Sequence, residues 1–347
     1  MKKSKFKLFA ALLLAAAMTV LSLSGAAPVL ADETAAILAN AAKSPAVHTA
    51  PEGYDQNDFN KVRTFLEQTD SNGIRNGEKL NPDGYDPDDP ESWGALFVDE
   101  WGFEHEAYFD WEEVDGINRM FAINLTYIRD FAGTFDMSGL DALSTLDVDG
   151  GNFTTADLSN CYEMTHCYFA NSTLSSVNLF NCANVTELYL QDNELTEVLN
   201  LGDCTSLLFL DILMNSDLEE IDLSGCERII EHLDFSQTKI SDINETEMFA
   251  LCEFGCESSG ITELDLRNCN YLNYVNCNFC DMDFLYLPEL PNNLAVNCME
   301  TGLTELNYEN CGGIYDLSIS GNPGLTGKLN LASNPYLMNV SADNCGF

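Results

Sequence analysis

Apolar residues recur through most of the chain at steps of three, two and three positions, and each run ends in a polar residue or a cysteine. One unit consists of two such runs, with these apolar and terminal residues: Leu207, Leu210, Ile212 and Asn215, then Leu218, Ile221, Leu223 and Cys226. A helix repeats about every 3.6 residues and a strand about every two, so neither element alone produces this spacing. The pattern predicts two short extended segments per unit, with the apolar residues inward and a bend after each segment.

The second bend of these units carries a cysteine at a nearly constant interval. Six cysteines share this place: Cys161, Cys182, Cys204, Cys226, Cys269 and Cys311. They are separated by 21, 22, 22, 43 and 42 residues, and the last two gaps are double steps in which one cysteine is missing. A fixed period of roughly 20 to 50 residues is typical of a solenoid. Successive units should therefore stack as coils about 4.8 Å apart and pair through their backbones.

The repeated motif resembles that of leucine-rich repeats, which reads L-x-x-L-x-L-x-x-N/C-x-L. The short second half, which ends in cysteine, is similar to that of bacterial extracellular repeat proteins in the style of the internalins. The resemblance covers about residues 140 to 347, as roughly ten units of which the last stops before its second half. It implies a β-rich leucine-rich-repeat solenoid with two short strands per coil, in which the first-half strands form a concave binding sheet. Residues 245–247 and 285–293 break the motif, and we expect those coils to bulge or kink.

The amino-terminal end has the features of an export signal. Four lysines precede an apolar run over residues 8–23, and small residues precede position 32. These features predict a secretory signal peptide over residues 1–31, followed by a flexible alanine-rich leader over residues 32–50. No later stretch is apolar enough to predict a membrane span. We therefore expect a secreted or extracellular protein that acts in solution or at the bacterial cell surface.

Residues 51–139 are not repetitive and predict a small mixed helical and aromatic cap at the amino-terminal end of the solenoid. A helix is expected to begin at Asp58 and to end before Gly73. Four apolar residues share one face of this helix: Phe59, Val62, Phe65 and Leu66. The cap also contains all three tryptophans: Trp93, Trp101 and Trp111. We expect the tryptophans to form the core of the cap, because a repeat array needs its open end covered, and not to form a ligand platform.

The charge of the chain excludes one class of partner. It has 56 acidic against 15 basic residues, a formal net charge of −41. Binding to nucleic-acid phosphates requires clustered lysine and arginine, so nucleic acid is not an expected partner. Stacked acids in the second-half segments, such as Glu220, Asp222 and Asp265, suit either a calcium ion or a solvated, aggregation-resistant face. We predict no other cofactor and no metal-ligand residues.

The sequence contains no arrangement of residues typical of a catalytic centre. His166 and Cys167 are adjacent, but neighbours in a strand face opposite sides. The sequence has no phosphate-binding glycine loop, serine nucleophile elbow or metal-binding histidine pair. Most of the 13 cysteines fall at inward or bend positions, where we expect buried, reduced thiols, and only Cys252 falls at an outward position. We therefore predict a protein without enzymatic activity.

Candidate ligand-binding residues lie at the outward positions of the first-half segments. These positions bring rings and acids to one face: His166, Tyr168, Tyr189, Phe209, Asp211, His232, Asp234 and Tyr274. Exposed aromatic residues beside acids are typical of a binding hot spot. Ordinary cross-strand packing on a sheet face is the other interpretation of the same residues.

These features predict an exported recognition or adhesion module that binds a protein or a glycan through an aromatic and acidic sheet face. Two alternatives remain from other classes of function. The chain could be the targeting part of a larger extracellular enzyme whose catalytic region lies outside these residues, or a surface spacer without a specific ligand. The last unit ends at Phe347 before its second half, so association through an uncapped carboxy-terminal coil is a further expectation.

Overall fold

The computed structural model describes most of the chain that follows the predicted export signal. The described residues are 48–98, 102–126, 128, 130–289 and 293–347. The predicted signal peptide and almost all of the predicted leader lie outside them, and so do Trp101 and residues 290–292 of the second departure from the motif. Among the described residues, no helix combines the length and the apolar character needed to cross a bilayer.

The amino-terminal cap is built on one helix of three turns, α1 (Gln56–Leu66), and a short helix, α2 (Asn76–Leu80). The predicted face of α1 is buried, but its predicted start is wrong. Asp55 caps the helix by accepting hydrogen bonds from the N–H groups of Asn57 and Asp58, which satisfies two donors of the first turn. Asp58 instead lies inside the helix, fully buried, and binds Nε of Arg119 at 2.8 Å.

The rest of the structure consists of short strands. In chain order they are β1 (Ala95–Val98), β2 (Glu104–Val114), β3 (Ile117–Leu125), β4 (Ala132–Asp136), β5 (Thr145–Asp149), β6 (Asn152–Asp157), β7 (His166–Ala170), β8 (Ser176–Asn178), β9 (Glu187–Tyr189), β10 (Thr196–Asn200), β11 (Phe209–Asp211), β12 (Asp217–Asp222), β13 (His232–Asp234), β14 (Glu253–Gly255), β15 (Glu263–Asp265), β16 (Tyr274–Asn276), β17 (Phe284–Tyr286), β18 (Leu294–Asn297), β19 (Glu305–Leu306), β20 (Ile314–Ser318) and β21 (Asn339–Ser341). From β3 to β13 and again from β14 to β20, the strands alternate between two edges of the coils, as the two-part repeat predicts.

The first-half strands form one main sheet of 13 strands. Its order is β1-β2-β3-β5-β7-β9-β11-β13-β14-β16-β18-β20-β21. The first three strands pair antiparallel, and every later pair is parallel. The cap therefore shares its sheet with the solenoid, because β3 pairs directly with β5. β3 and β4 occupy the two strand positions of a coil that precedes residue 140.

The second-half strands form three shorter ladders. Their orders are β4-β6-β8, β10-β12 and β15-β17-β19. The break between β12 and β15 falls in the fifth coil, where residues 239–244, the counterparts of β12, form no strand and are followed by a 3₁₀ helix, Glu245–Glu247. The expected irregularity of this coil is thus a local loss of the strand.

The bend after each first-half strand has a recurring construction. The residue just before the bend position has a positive φ in successive coils: Asn171, Asp192, Met214, Gln237, Ser258, Phe279, Glu300, Gly321 and Asn344. Where the bend residue is asparagine, its side-chain amide is buried and forms hydrogen bonds with nearby backbone carbonyl and N–H groups. Asn215 donates to the carbonyl oxygens of Ile212 at 2.8 Å and Leu190 at 3.0 Å, and accepts from Leu195 N at 3.1 Å. The coils are therefore tied together at this bend as well as through their strands.

The core is continuous from the cap through the stacked coils. Trp93 is fully buried, with its ring 5.2 Å from that of Phe59 and 6.1 Å from that of Trp111. Eleven of the 13 cysteines are buried, and no disulfide joins any of them in the part of the chain described here. Cys252 is partly exposed as predicted. Cys345 is also partly exposed, although no such exposure was predicted for it.

Candidate functional site

The structure places all eight predicted site residues on strands of the main sheet. They occupy five strands: β7 (His166, Tyr168), β9 (Tyr189), β11 (Phe209, Asp211), β13 (His232, Asp234) and β16 (Tyr274). Their neighbours on these strands point inward and are fully buried: Cys167, Leu188, Leu210, Leu233 and Val275. This alternation follows from the pleat of a strand, and it puts the eight side chains on the outer face of one sheet.

Four of these rings form a continuous column across neighbouring coils, which we call the ring column: Tyr168, Tyr189, Phe209 and His232. The centroids are 5.9 Å apart between Tyr168 and Tyr189, and 4.8 Å apart between Tyr189 and Phe209. Phe209 and His232 stack in parallel at 3.9 Å. The ring of His166 lies beside the column, 5.6 Å from Tyr189. Each ring therefore restrains the next, which reduces the freedom that a ligand would have to remove.

Tyr274 is on the same face but is not part of the ring column. The strand register places Glu253 between it and His232, since His232 pairs with Glu253 and Glu253 pairs with Tyr274. The structure therefore separates Tyr274 from the other rings by one coil. Its side chain is among the exposed large residues of the protein.

Both histidines of the face are held by carboxylates. Nε2 of His166 lies 3.1 Å from Oδ1 of Asp147, and its Nδ1 lies 3.2 Å from Oε2 of Glu187. The hydrogen bond to Asp147, followed by the charges of both acids, raises the pKa of His166 above its ordinary value. Nδ1 of His232 lies 3.0 Å from Oε2 of Glu253. Both imidazoles therefore have a fixed orientation on the sheet.

Asp211 and Asp234 lie side by side at the carboxyl ends of β11 and β13. Each accepts a hydrogen bond from a backbone N–H two residues later, from Leu213 at 3.2 Å and from Ser236 at 2.8 Å. Burial and the nearby charge of Asp234 raise the pKa of Asp211. On the next strand Gly255 leaves room for Asp234, because a Cβ there would lie 2.4 Å from Oδ2 of Asp234. The carboxylate of Asp234 thus packs against the backbone of Gly255.

An open groove of about 450 Å³ runs beside the middle of the ring column. Its lining includes three of the predicted residues and three acids that the prediction omitted: Tyr189, Phe209, His232, Glu187, Glu231 and Glu253. Glu187 and Glu253 share the outward strand position with the histidines, so the alternation pattern contained the signal for them. The prediction chose the rings and two aspartates and passed over Glu187 and Glu253, although these two acids orient the histidines.

The face is negative throughout the solenoid. Residues 140–347 contain only four lysine and arginine side chains, and none belongs to a strand of the main sheet: Arg228, Lys239, Arg267 and Lys328. The groove is therefore bordered by glutamates without a neighbouring lysine or arginine in the sheet. A ligand that brings amino, guanidinium or hydroxyl groups would find acceptors there.

The acids at the ends of the second-half strands have a local structural role. Asp157 accepts from Ser159 N at 3.0 Å, Asp222 from Ser224 N at 3.0 Å, and Asp265 from Arg267 N at 3.1 Å. Such hydrogen bonds from a side chain to its own backbone two residues on hold a turn. Within the described residues, no group of three or more histidine, cysteine or acidic side chains has an arrangement suited to a metal ion.

The repeat period and the strand pairing decide the fold. The chain folds as a leucine-rich-repeat solenoid. No family model matches the sequence, and no curated protein matches it. Among solved structures it is similar to the functional domain of InlJ from Listeria monocytogenes, which includes a cysteine ladder, with 21% identity and a TM-score of 0.48. The match covers 65% of this chain and 54% of that one, so this chain spans about half the length of the InlJ domain.

Two further solved structures show the range of its structural neighbours. The internalin InlF from Listeria monocytogenes is 16% identical, with a TM-score of 0.42, over 65% of this chain and 73% of that one. The leucine-rich-repeat ectodomain of the receptor kinase GASSHO1/SCHENGEN3 from Arabidopsis thaliana, solved with CASPARIAN STRIP INTEGRITY FACTOR 2, is 15% identical. That match has a TM-score of 0.41 and covers 69% of this chain and 37% of the receptor chain.

Proposed function

We propose that this protein is an extracellular recognition module that binds a protein or a glycan through the main-sheet face around the ring column. The observation that carries the proposal is the unbroken contact from Tyr168 through Tyr189 and Phe209 to His232, with a groove and carboxylates beside it. The proposal assigns no catalytic residue to the chain.

The physical basis is the pairing of rigid contact area with fixed polar groups. Aromatic side chains offer a large surface and lose little rotamer freedom on binding. The glutamates supply acceptors that choose among ligands, because charges and hydrogen bonds determine specificity more than affinity. Both protein side chains and sugar rings can stack on such a surface while presenting donors to the acids. The face therefore suits either class of ligand.

The test is binding of the complete chain to arrayed glycans and to immobilised candidate proteins, with a matched pair of double variants. Tyr189→Ala with Phe209→Ala removes the centre of the ring column. Phe284→Ala with Tyr286→Ala removes a ring pair of similar size on β17, where the centroids are 5.0 Å apart. We expect the first variant to lose about 1–3 kcal/mol of binding free energy and the second to bind as the parent does. Equal binding by the parent and the first variant would refute the assignment of the face.

A further inference from the structure

The interruption of the second-half ladder leaves one strand edge without a neighbour. β12 pairs with β10 on one side, and within the described residues no strand pairs with its other side. The chain of the fifth coil bridges the beginning of this edge, where Lys239 N donates to Leu218 O at 2.8 Å. Beyond that point it turns into the 3₁₀ helix Glu245–Glu247. An unpaired strand edge is a template for a further strand.

The opposite side of the interruption is closed by a side chain. Asp265 N, at the edge of β15, donates to Oε1 of Glu245 at 3.3 Å. The carboxylate thus takes the place that a backbone carbonyl of the missing strand would occupy. Glu245 is partly buried there, and this burial raises its pKa. The free edge is therefore that of β12, and the edge of β15 is covered.

A groove of about 380 Å³ lies along the free edge. Its apolar lining includes Ile221, Ile243 and Met248. Ile221 is the strand partner of Leu199, which is 4% exposed, whereas Ile221 itself is only partly buried. The difference arises because the coil that should cover Ile221 lacks its strand. The groove has a volume within the usual range of ligand sites, which is roughly 300–1,000 Å³.

The border of the same groove is acidic. Glu220, Asp222 and Glu227 line it, and its described lining contains no lysine, arginine or histidine. Glu220 is the strand partner of Val198, whose exposed side chain lies on the outer face beside it. After a register shift at Glu219, the end of β12 alternates between an acid outside and an apolar side chain inside, as Glu220, Ile221 and Asp222 do.

We propose that this groove binds an extended segment of a basic partner protein, which pairs with the free edge of β12. A strand added there would also alternate, because its side chains follow the pleat of the sheet. Its inward residue would be aliphatic and would cover Ile221 and Ile243. Its flanking residues would be lysine or arginine and would lie against Glu220 and Asp222. This site is on a different sheet from the ring column and does not depend on the function proposed for that face.

The experiment uses labelled synthetic hexapeptides and the complete chain, with fluorescence anisotropy as the measurement. The peptide KVKIKV carries the proposed alternation, and KSKSKS carries the same charge without the aliphatic residues. We expect the parent to bind KVKIKV at least about tenfold more tightly than KSKSKS, with affinity falling as salt is added. Equal affinity for both peptides would overturn the proposal, because a surface with a net charge of −41 attracts any cationic peptide.

Two independent sets of variants locate the binding. Val198→Lys places a cation on the exposed outer face, and Glu220→Gln with Glu227→Gln removes two charges from the border. Each should weaken KVKIKV binding by at least about tenfold. Glu163→Gln with Glu194→Gln removes the same charge from exposed positions elsewhere and should leave binding unchanged. Loss of binding in the Tyr189→Ala, Phe209→Ala variant, or retention in both groove variants, would place the peptide elsewhere and overturn the proposal.

Discussion

The rings of Phe209 and His232 lie parallel, with 3.9 Å between their centroids and 2° between their planes. The two residues are partners in the parallel pairing of β11 with β13, so the stacking follows directly from the strand register. Glu253 on the next strand holds the imidazole from its other side. The sheet itself therefore fixes the arrangement of these two rings.

The first prediction separates the outer face of β11 from its inner face. Leu210→Ala removes a fully buried side chain and should lower the free energy of unfolding by about 2–5 kcal/mol. Phe209→Ala removes only contacts between partly exposed rings and should cost about 0.5–1.5 kcal/mol. Urea unfolding of both variants measures the difference. An equal loss would mean that Phe209 is part of the core.

The second prediction concerns pH. His166 has a raised pKa in the folded protein because Asp147 and Glu187 bind its charged form. Its stabilising contribution is therefore complete below its unfolded value of 6.5 and declines as pH rises through the higher folded value. The melting temperature of the parent should fall over this interval more than that of His166→Gln. Parallel curves for the two proteins would show that the imidazolium contributes nothing.

The third prediction tests the bend asparagines. Asn215→Ala leaves the buried carbonyl of Ile212 and the buried N–H of Leu195 without their partner, while Leu190 O keeps its bond from Asn193, and should cost on the order of 3 kcal/mol. Asn184 is exposed and makes a single hydrogen bond to Tyr162 O, so Asn184→Ala should cost less than about 1 kcal/mol. Chemical denaturation of both variants compares them. Similar losses of unfolding free energy in the two variants would show that the hydrogen bonds of Asn215 at the bend do not stabilise the fold.

The fourth prediction uses the residues with positive φ. Met214 and Phe279 are bulky, exposed and held at φ of 61° and 59°. Glycine adopts this conformation without a clash of Cβ, so Met214→Gly and Phe279→Gly should each stabilise the protein by up to about 1 kcal/mol. Alanine variants at the same positions are the control, since they remove the side chain but keep the strained Cβ. Thermal melts in which alanine matches glycine would contradict this account.

The fifth prediction concerns the cysteines. Burial raises the pKa of Cys204 and Cys226 to about 12, which leaves almost no reactive thiolate at neutral pH. Cys252 and Cys345, which are partly exposed, should react first with a thiol reagent in the native protein. Denaturation without reductant should then expose the thiols of the other 11 cysteines to the reagent. A count near zero in denaturant would show that disulfides had formed.

The pattern of apolar residues did not predict the cap of α1 at Asp55 or the contacts within the ring column. The apolar face of α1 was evident from the spacing of Phe59, Val62 and Phe65, but the start predicted at Asp58 was wrong. Asp58 lies inside the helix and is bound by Arg119 of β3, which is 61 residues away in the chain. Similarly, alternation placed Tyr274 on the same face as the other rings, whereas only the register shows that Glu253 separates it from His232.

The sequence by itself determined the repeat, the two strands per coil and the inward residues, because the period and the alternation of apolar positions are properties of the local chain. The function of the predicted face stays a prediction. Tertiary structure alone decided which rings touch, which acids orient the histidines, and that the fifth coil leaves the edge of β12 open. These features depend on how neighbouring coils stack, and residues some 20 positions apart meet only when that stacking aligns them.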